Sequence, residues 1–255
     1  MTLDVVFTPA GLTSGEVQGR VVFVVDVLRA GTTICAALHH GARAIIPVAS
    51  VAEALQLART LGSAETVLAG ERNCLRIEGF ALGNSPGEMT AAAVGGKTII
   101  LTTTNGTGAL LATTGAKRVY VGGAVNLTAA AGCLRRAWHA SEPILVVCAG
   151  REQRFALDDA YTAGRLVEAV VGRSRPYDRL TDAAIAALDV ATRYGSGWDA
   201  ALTASRGGRA LAALGLEADI AVAARVDAYP VLPCYVDRRV SAAPDPAVDP
   251  TSSMP

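Results

Sequence analysis

Short, uninterrupted apolar runs alternate along this chain with alanine-rich stretches, and that alternation limits the available folds more than any other feature. Val21–Val27, Ala44–Val48, Thr66–Ala69, Thr98–Thr102, Arg118–Val121 and Ile144–Cys148 read as strands. Their apolar residues are continuous rather than alternating, as in strands covered by helices on both faces. Between them the sequence predicts helices over Thr32–His40, Val51–Leu61, Thr107–Thr114, Leu127–Ala140 and Ala156–Val171. Ser50 and Asn126 suit N-caps, and Glu53 completes a capping box after Ser50. The expected fold class is α/β: a largely parallel or mixed sheet flanked by helices, a three-layer α/β/α arrangement that can form two lobes around a cleft.

The expected domain organisation is one unit over residues 1–240, with no linker inside it. Asp182–Tyr194 and Asp199–Leu214 read as helices, and Asp219–Val240 as β-rich sequence in which Pro230 and Pro233 confine strands to edges or irregular positions. Ser241–Pro255 carries four prolines and little apolar material, and is expected to be a disordered tail.

Composition removes several function classes. Lys+Arg and Asp+Glu are 23 each, so the chain lacks the excess positive charge of a protein that binds nucleic acid through a broad basic surface. A hydrophobic fraction of 51% points to a sizeable core. No apolar run approaches the ~20 residues of a spanning helix. The first residues do not form a basic segment followed by an apolar one, so a cytoplasmic location is expected. Five widely spaced cysteines without a CxxC pair argue against a disulfide framework or a structural zinc site.

Four segments stand out as carriers of chemistry. In the first, Asp26 ends an apolar strand and Arg29, Thr32 and Thr33 follow at a helix start, where free N–H groups and a guanidinium favour an oxyanion. Asp26 suits a metal ligand or a nucleophile there; a local Asp26–Arg29 ion pair with capping threonines explains the same residues structurally. In the second, Thr102–Gly108 places Asn105, Gly106 and Thr107 after a strand, where small residues let backbone N–H groups approach an anion; an ordinary Asn-Gly turn is the plain alternative. The third, Gly70–Pro86, is a long loop holding Glu71, Arg72, Arg76, Glu78 and the Asn84-Ser85-Pro86 turn. The fourth, Cys148–Asp159, sets Asp158 and Asp159 at the start of a long helix. The helix dipole accounts for them there, while with Asp26 and Glu71 they also make a hard oxygen set suited to Mg2+. His39, His40 and His139 fall on helices away from these segments.

Together and in this order, Val25-Asp-Val-Leu-Arg-Ala-Gly-Thr-Thr-Ile34, Gly70-Glu-Arg-Asn73 with Gly79-Phe-Ala-Leu-Gly-Asn-Ser-Pro86, Thr102-Thr-Thr-Asn-Gly-Thr107 and Cys148-Ala-Gly-Arg-Glu152 resemble the 2-phosphosulfolactate phosphatase family. The resemblance runs from about residue 4 to about residue 240 and includes the segment from Asp219 to Pro233. It implies a Mg2+-dependent hydrolase that converts 2-phospho-3-sulfolactate to 3-sulfolactate and phosphate, a step of coenzyme M synthesis in some organisms. Three positions depart from the family pattern: Gly31 stands where Thr or Ser is usual, Asp158 where Glu precedes Asp, and Gln153 where Gly is usual.

Under that resemblance Asp26, Arg29 and Asp159 carry the chemistry, and Asp26, Glu71, Asp158 and Asp159 form the metal set. Arg29, Thr32, Thr33, Asn105, Gly106 and Thr107 would cradle the phosphate, with Asn84 and Ser85 beside it. Arg72, Arg76, Arg151 and Arg154 would meet the carboxylate and sulfonate. The expected partner is a small anionic phosphorylated substrate, with neither nucleic acid nor membrane; a homodimer is left open. Leu28 stands where a phosphoaspartyl enzyme of the haloacid dehalogenase type carries a second Asp, which favours activated water as the nucleophile. A cysteine hydrolase using Cys148 is the alternative enzyme, although Lys97 and Lys117 are the only lysines and Lys97 precedes its strand. A non-catalytic oxyanion sensor is the alternative outside enzymes.

Overall fold

The computed structural model describes residues 2–62, 65–172, 174 and 176–243. The chain opens with β1 (Leu3–Val6), α1 (Ser14–Val17), β2 (Val21–Val25), α2 (Ala30–His39), β3 (Ala44–Pro47) and α3 (Val51–Leu61). Next come β4 (Thr66–Arg72), β5 (Leu75–Arg76), α4 (Ala91–Val94), β6 (Thr98–Thr102) and α5 (Gly106–Ala112). The second half holds β7 (Arg118–Val121), α6 (Leu127–His139), β8 (Ile144–Cys148), α7 (Leu157–Val171) and α8 (Asp182–Tyr194). It closes with α9 (Trp198–Ala204), α10 (Arg206–Ala212), α11 (Glu217–Ala223), β9 (Pro233–Val236) and β10 (Arg239–Ala242).

The ten strands lie in the order β1-β8-β2-β7-β9-β10-β3-β6-β4-β5, a mostly parallel sheet with helices on both faces. β1, β8, β2 and β7 form one parallel block, and β3, β6 and β4 the other. The β9–β10 hairpin joins them through three successive antiparallel pairings, so the two blocks run in opposite senses. This corrects the placement of the proline-bearing segment at an edge. Pro233 is the first residue of β9, where a missing N–H is tolerated, and the hairpin sits in the middle of the sheet. The same segment begins with a helix rather than with β structure, since α11 includes Asp219. β10 extends to Ala242, two residues into the expected tail; residues 244–255 lie outside the described set.

Each sheet face has its own apolar cluster. One gathers Val22 and Val24 of β2, Ile45, Ile99 and Leu101 of the other block, and Ile34, Leu38, Ala109 and Leu110 of α2 and α5. On the opposite face, Phe23, Val146 and Val25 pack with Leu134, Leu166 and Leu188 of α6, α7 and α8. The residues facing both ways along β2 are all buried, which is why that strand reads as a continuous apolar run. Among the described residues no helix is long and apolar enough to cross a membrane.

Local rules explain several boundaries. The Ser50 hydroxyl accepts from the Glu53 N–H (3.1 Å), and the Glu53 carboxylate reaches back to the Ala49 N–H (2.9 Å), one residue earlier than a standard box. The expected helix over Asp199–Leu214 is broken at Ser205, whose extended backbone ends α9 and whose hydroxyl caps α10 through Gly208 N (2.8 Å). Asn126 precedes α6 but does not cap it. Its carboxamide instead accepts from Gly123 N (2.9 Å) and donates to the carbonyls of Val121 and Val231 (3.0 Å each), fastening the end of β7 to the approach of β9. Asn126 is fully buried, so Asn126→Ala would leave those groups unpaired. We expect a loss of about 2–4 kcal/mol, read as a lower midpoint in urea unfolding with an unchanged slope.

Candidate active site

The site begins where β2 stops. Asp26 Oδ1 accepts from Ala30 N (3.0 Å), and the Asp26 carbonyl accepts from Gly31 N (2.7 Å), so the first turn of α2 closes onto the aspartate. A Cβ on Gly31 would sit 2.8 Å from that carbonyl oxygen, leaving no room for Thr or Ser in this chain. Gly106 opens α5 where an added Cβ would clash with Asp26 Oδ2. The threonine hydroxyls act on the backbone: Thr32 donates to Val27 O and Thr33 to Asn84 O (2.8 Å each).

Glu71 lies near the end of β4, and both of its oxygens accept backbone N–H groups, Oε1 from Thr104 (2.7 Å) and Oε2 from Cys74 (2.8 Å). It thereby ties the β6–α5 loop to the tip of the β4–β5 hairpin. That tip is a two-residue turn whose central residues, Asn73 (φ 53°) and Cys74 (φ 68°), are both left-handed, as tight hairpins require. Beside this tip, Arg151 and Arg154 pair antiparallel around a second left-handed turn, Glu152 (φ 52°) and Gln153 (φ 59°). Glycine is at ease in that conformation, which explains why the family pattern has one where this chain has Gln153.

Asp158 and Asp159 occupy the first turn of α7 and are buried. Asp159 accepts from Val27 N through Oδ1 (3.0 Å) and from Gly150 N through Oδ2 (2.9 Å), locking the ends of β2 and β8 together. Asp158 Oδ1 is buried without a hydrogen-bond partner, and Gly207 stands where a Cβ would be 2.9 Å from Asp158 Oδ2. Burial, reinforced by the Asp158 and Glu71 charges against the opposing Ala30 hydrogen bond, pushes the Asp26 carboxyl up to about 7. Burial likewise raises Asp158 to about 6, and it raises Asp159 well above the carboxylate range, with Asp158 and Asp26 adding to it.

These elements line an open cleft. Of the residues singled out in the sequence, Asp26, Arg29, Glu71, Asn84, Asn105 and Arg151 line it; Asp158 and Asp159 line an adjoining recess with Gly150 and Gly207. Thr32, Thr33, Ser85, Gly106 and Thr107 stand behind the lining. The Thr107 hydroxyl closes a ring with Thr103 at the entry to α5. Three arginines expected at the substrate are outside the lining. Arg72 donates to the Thr102 hydroxyl (2.9 Å) and Glu71 O, Arg76 is exposed and reaches Ala81 O, and Arg154 is exposed beyond the Glu152–Gln153 turn. Among the described residues no three His, Cys, Asp or Glu side chains already form a metal-holding group.

The local Asp26–Arg29 ion pair, the structural alternative for these residues, does not form. Arg29 donates instead to Asp219 Oδ2 of α11 (2.6 Å) and to Cys74 O (2.7 Å). Cys74, Thr103 and Thr104 are among the lining residues to which the sequence assigned no role. Asp219, included in the resemblance without a role, lies 190 positions from Arg29. Cys148 is fully buried outside the cleft lining, its thiol pushed well up by burial and then by Asp159 and Asp158, which removes the basis for thiol chemistry. His39 and His40 stack with Tyr229 at the far end of α2.

Buried carboxyls and guanidinium groups meet at the strand ends of an α/β sheet, the class of site an α/β enzyme places there. The family model described as 2-phosphosulpholactate phosphatase matches residues 6–238, and the chain belongs to that family of phosphatases. A "Probable 2-phosphosulfolactate phosphatase" of Symbiobacterium thermophilum is 37% identical over 225 residues, 88% of this chain and 95% of the relative. One of Caldanaerobacter subterraneus is 40% identical over 168 residues, 66% of this chain and 68% of the relative. One of Clostridium beijerinckii is 33% identical over 184 residues, 72% and 76% of the two chains.

Two predictions follow from this geometry. An acid whose pKa rises on folding stabilises the fold below its unfolded value and loses that contribution as pH rises to the folded one. The metal-free protein should therefore lose thermal stability between about pH 4, the ordinary aspartate range, and about 7. Melting in EDTA across that range checks it, and Asp26→Asn should flatten the curve. Separately, Gln153→Gly relieves a left-handed non-glycine residue and should stabilise by ~1 kcal/mol in urea unfolding.

Proposed function

We propose that this protein hydrolyses 2-phospho-3-sulfolactate to 3-sulfolactate and inorganic phosphate, with Mg2+ as its cofactor. The observation that carries this reading is the meeting of Asp26 and Glu71 with Arg29 and Arg151 in one cleft. The names of the relatives support the substrate. A substrate with phosphate, carboxylate and sulfonate groups needs fixed cations, and Arg29 and Arg151 supply them where Arg72, Arg76 and Arg154 do not reach.

The donors fit Mg2+. Asp158 Oδ1 is a buried carboxylate oxygen with no partner, and Asp26 Oδ2 carries no hydrogen bond to the protein. Such hard oxygens suit a cation that takes few protein ligands and completes its shell with water and phosphate oxygens. We assign Asp26 and Asp158 to the cation; Glu71 and Asp159, tied to backbone N–H groups, brace the loops around it. Bound there, Mg2+ would neutralise charge on the phosphoryl oxygens. Arg29 orients the phosphate and Arg151 meets a second anionic group. With Leu28 in place of a second aspartate, water is the nucleophile. We place the enzyme in the cytoplasm.

Phosphate release from 2-phosphosulfolactate tests the reading. Activity should vanish in EDTA and return with Mg2+, and Asp158→Asn should lower kcat by roughly 100-fold. Cys148→Ala should stay within about threefold, because a fully buried thiol outside the cleft has no part in the chemistry. Turnover that survives chelation, or that is lost in Cys148→Ala, overturns it.

A further inference from the structure

The Arg29–Asp219 pair has no role in the reading above, yet it is buried on both sides, with side-chain exposures of 4% and 5%. Arg29 donates from Nη1 to Asp219 and from Nη2 to the Cys74 carbonyl. Each Nη atom has two N–H groups, so one from each is left for the cleft that Arg29 lines. Asp219 is absent from that lining, and both of its oxygens are engaged, Oδ2 by Arg29 and Oδ1 by the Ser85 hydroxyl. Its own element is held firmly, since Ile220 and Ala223 of α11 pack with Val27 beside the Arg29 turn. Asp219 therefore reaches the site through Arg29, and through Ser85 it also holds the turn that carries the lining residue Asn84.

We propose that Asp219 is a positioning residue with two effects on Arg29. It fixes the guanidinium plane, so that the remaining N–H groups aim at a bound phosphate. It also offsets part of the guanidinium charge, so that product phosphate, a dianion, is not held too tightly to leave. An arginine anchored only by the Cys74 carbonyl would follow the phosphate and grip ground state and product alike, which adds binding without lowering the barrier. The proposal deepens the phosphatase reading and rests on it.

The test compares Asp219→Asn, which keeps the shape and removes the charge, with Asp219→Glu, which keeps the charge and moves it by one methylene. The full chain is used with excess Mg2+, measuring kcat, inhibition by inorganic phosphate, phosphate binding by calorimetry, and the melting temperature. Asp219→Asn should lower kcat at least tenfold while phosphate binds at least threefold more tightly. Asp219→Glu should lower kcat at least fivefold with phosphate affinity within twofold, which keeps the proposal testable if the Asn variant fails to fold. Both effects should shrink below twofold in an Arg29→Lys background. A residue with only a structural role would lower the melting temperature and give losses that persist in that background, and this result overturns the proposal. So does a phosphate affinity that is unchanged or weaker in Asp219→Asn. If the wild-type chain binds phosphate but does not turn over 2-phosphosulfolactate, the substrate reading fails alone, and the tighter phosphate binding in Asp219→Asn still decides the role of Asp219.

Discussion

Burying a carboxylate costs several kcal/mol unless N–H groups or a cation meet it, and this fold buries Asp26, Glu71, Asp158 and Asp159 around one cleft. The surrounding structure follows from how that cost is met. Asp159 takes the Val27 and Gly150 N–H groups, which joins β2 to β8; Glu71 takes those of Thr104 and Cys74, which joins β6 to the β4–β5 hairpin. The same hydrogen bonds that make the carboxylates tolerable thus hold four strand ends in register. Asp26 and Asp158 are less fully met, with one hydrogen bond on Asp26 Oδ1 and none on Asp158 Oδ1. The four acids thus differ in their backbone partners, not only in residue type.

Strand ends of both blocks reach the cleft. In a single parallel sheet, chemistry gathers at one edge of aligned strand ends. Here the β9–β10 hairpin reverses the sense of the second block, and both blocks contribute to the apolar cluster that includes α2 and α5. Asp26 and Arg151 follow strands of one block, Glu71 and Thr103 belong to strand ends of the other, and one cleft takes all four. Asn126 secures the arrangement by bonding both the end of β7 and the approach to β9.

Much of this was legible in the sequence, and the limits have physical causes. Thr98–Thr102, Arg118–Val121, Ile144–Cys148, Val51–Leu61 and Asp182–Tyr194 match the structure at both ends, because apolar continuity and capping are local signals. The interior hairpin was not legible: two prolines argue for an edge, and only a partner strand far away in sequence shows that Pro233 needs no donor. Within the site, strand-end position found Asp26, Glu71, Asn105 and Arg151. Counting charges in the same loops also brought in Arg72, Arg76 and Arg154, since a guanidinium can turn towards a carbonyl or solvent as readily as towards a ligand. Gln153 is the reverse case, where a departure from the family pattern becomes a backbone angle.

Arg29 shows most clearly how sequence distance misleads about charge. Asp26 lies three residues away and, by proximity alone, would pair with it. The first turn of α2 instead directs Asp26 to the Ala30 N–H, while packing of α11 on Val27 brings Asp219 to the other side of the guanidinium. Arg29 thus pairs with Asp219, and Asp26 pairs with the Ala30 N–H. A chain with zero net charge can thus gather acidic groups and guanidinium groups around one cleft. The Arg29–Asp219 pair depends on a helix that the sequence alone reads as strand.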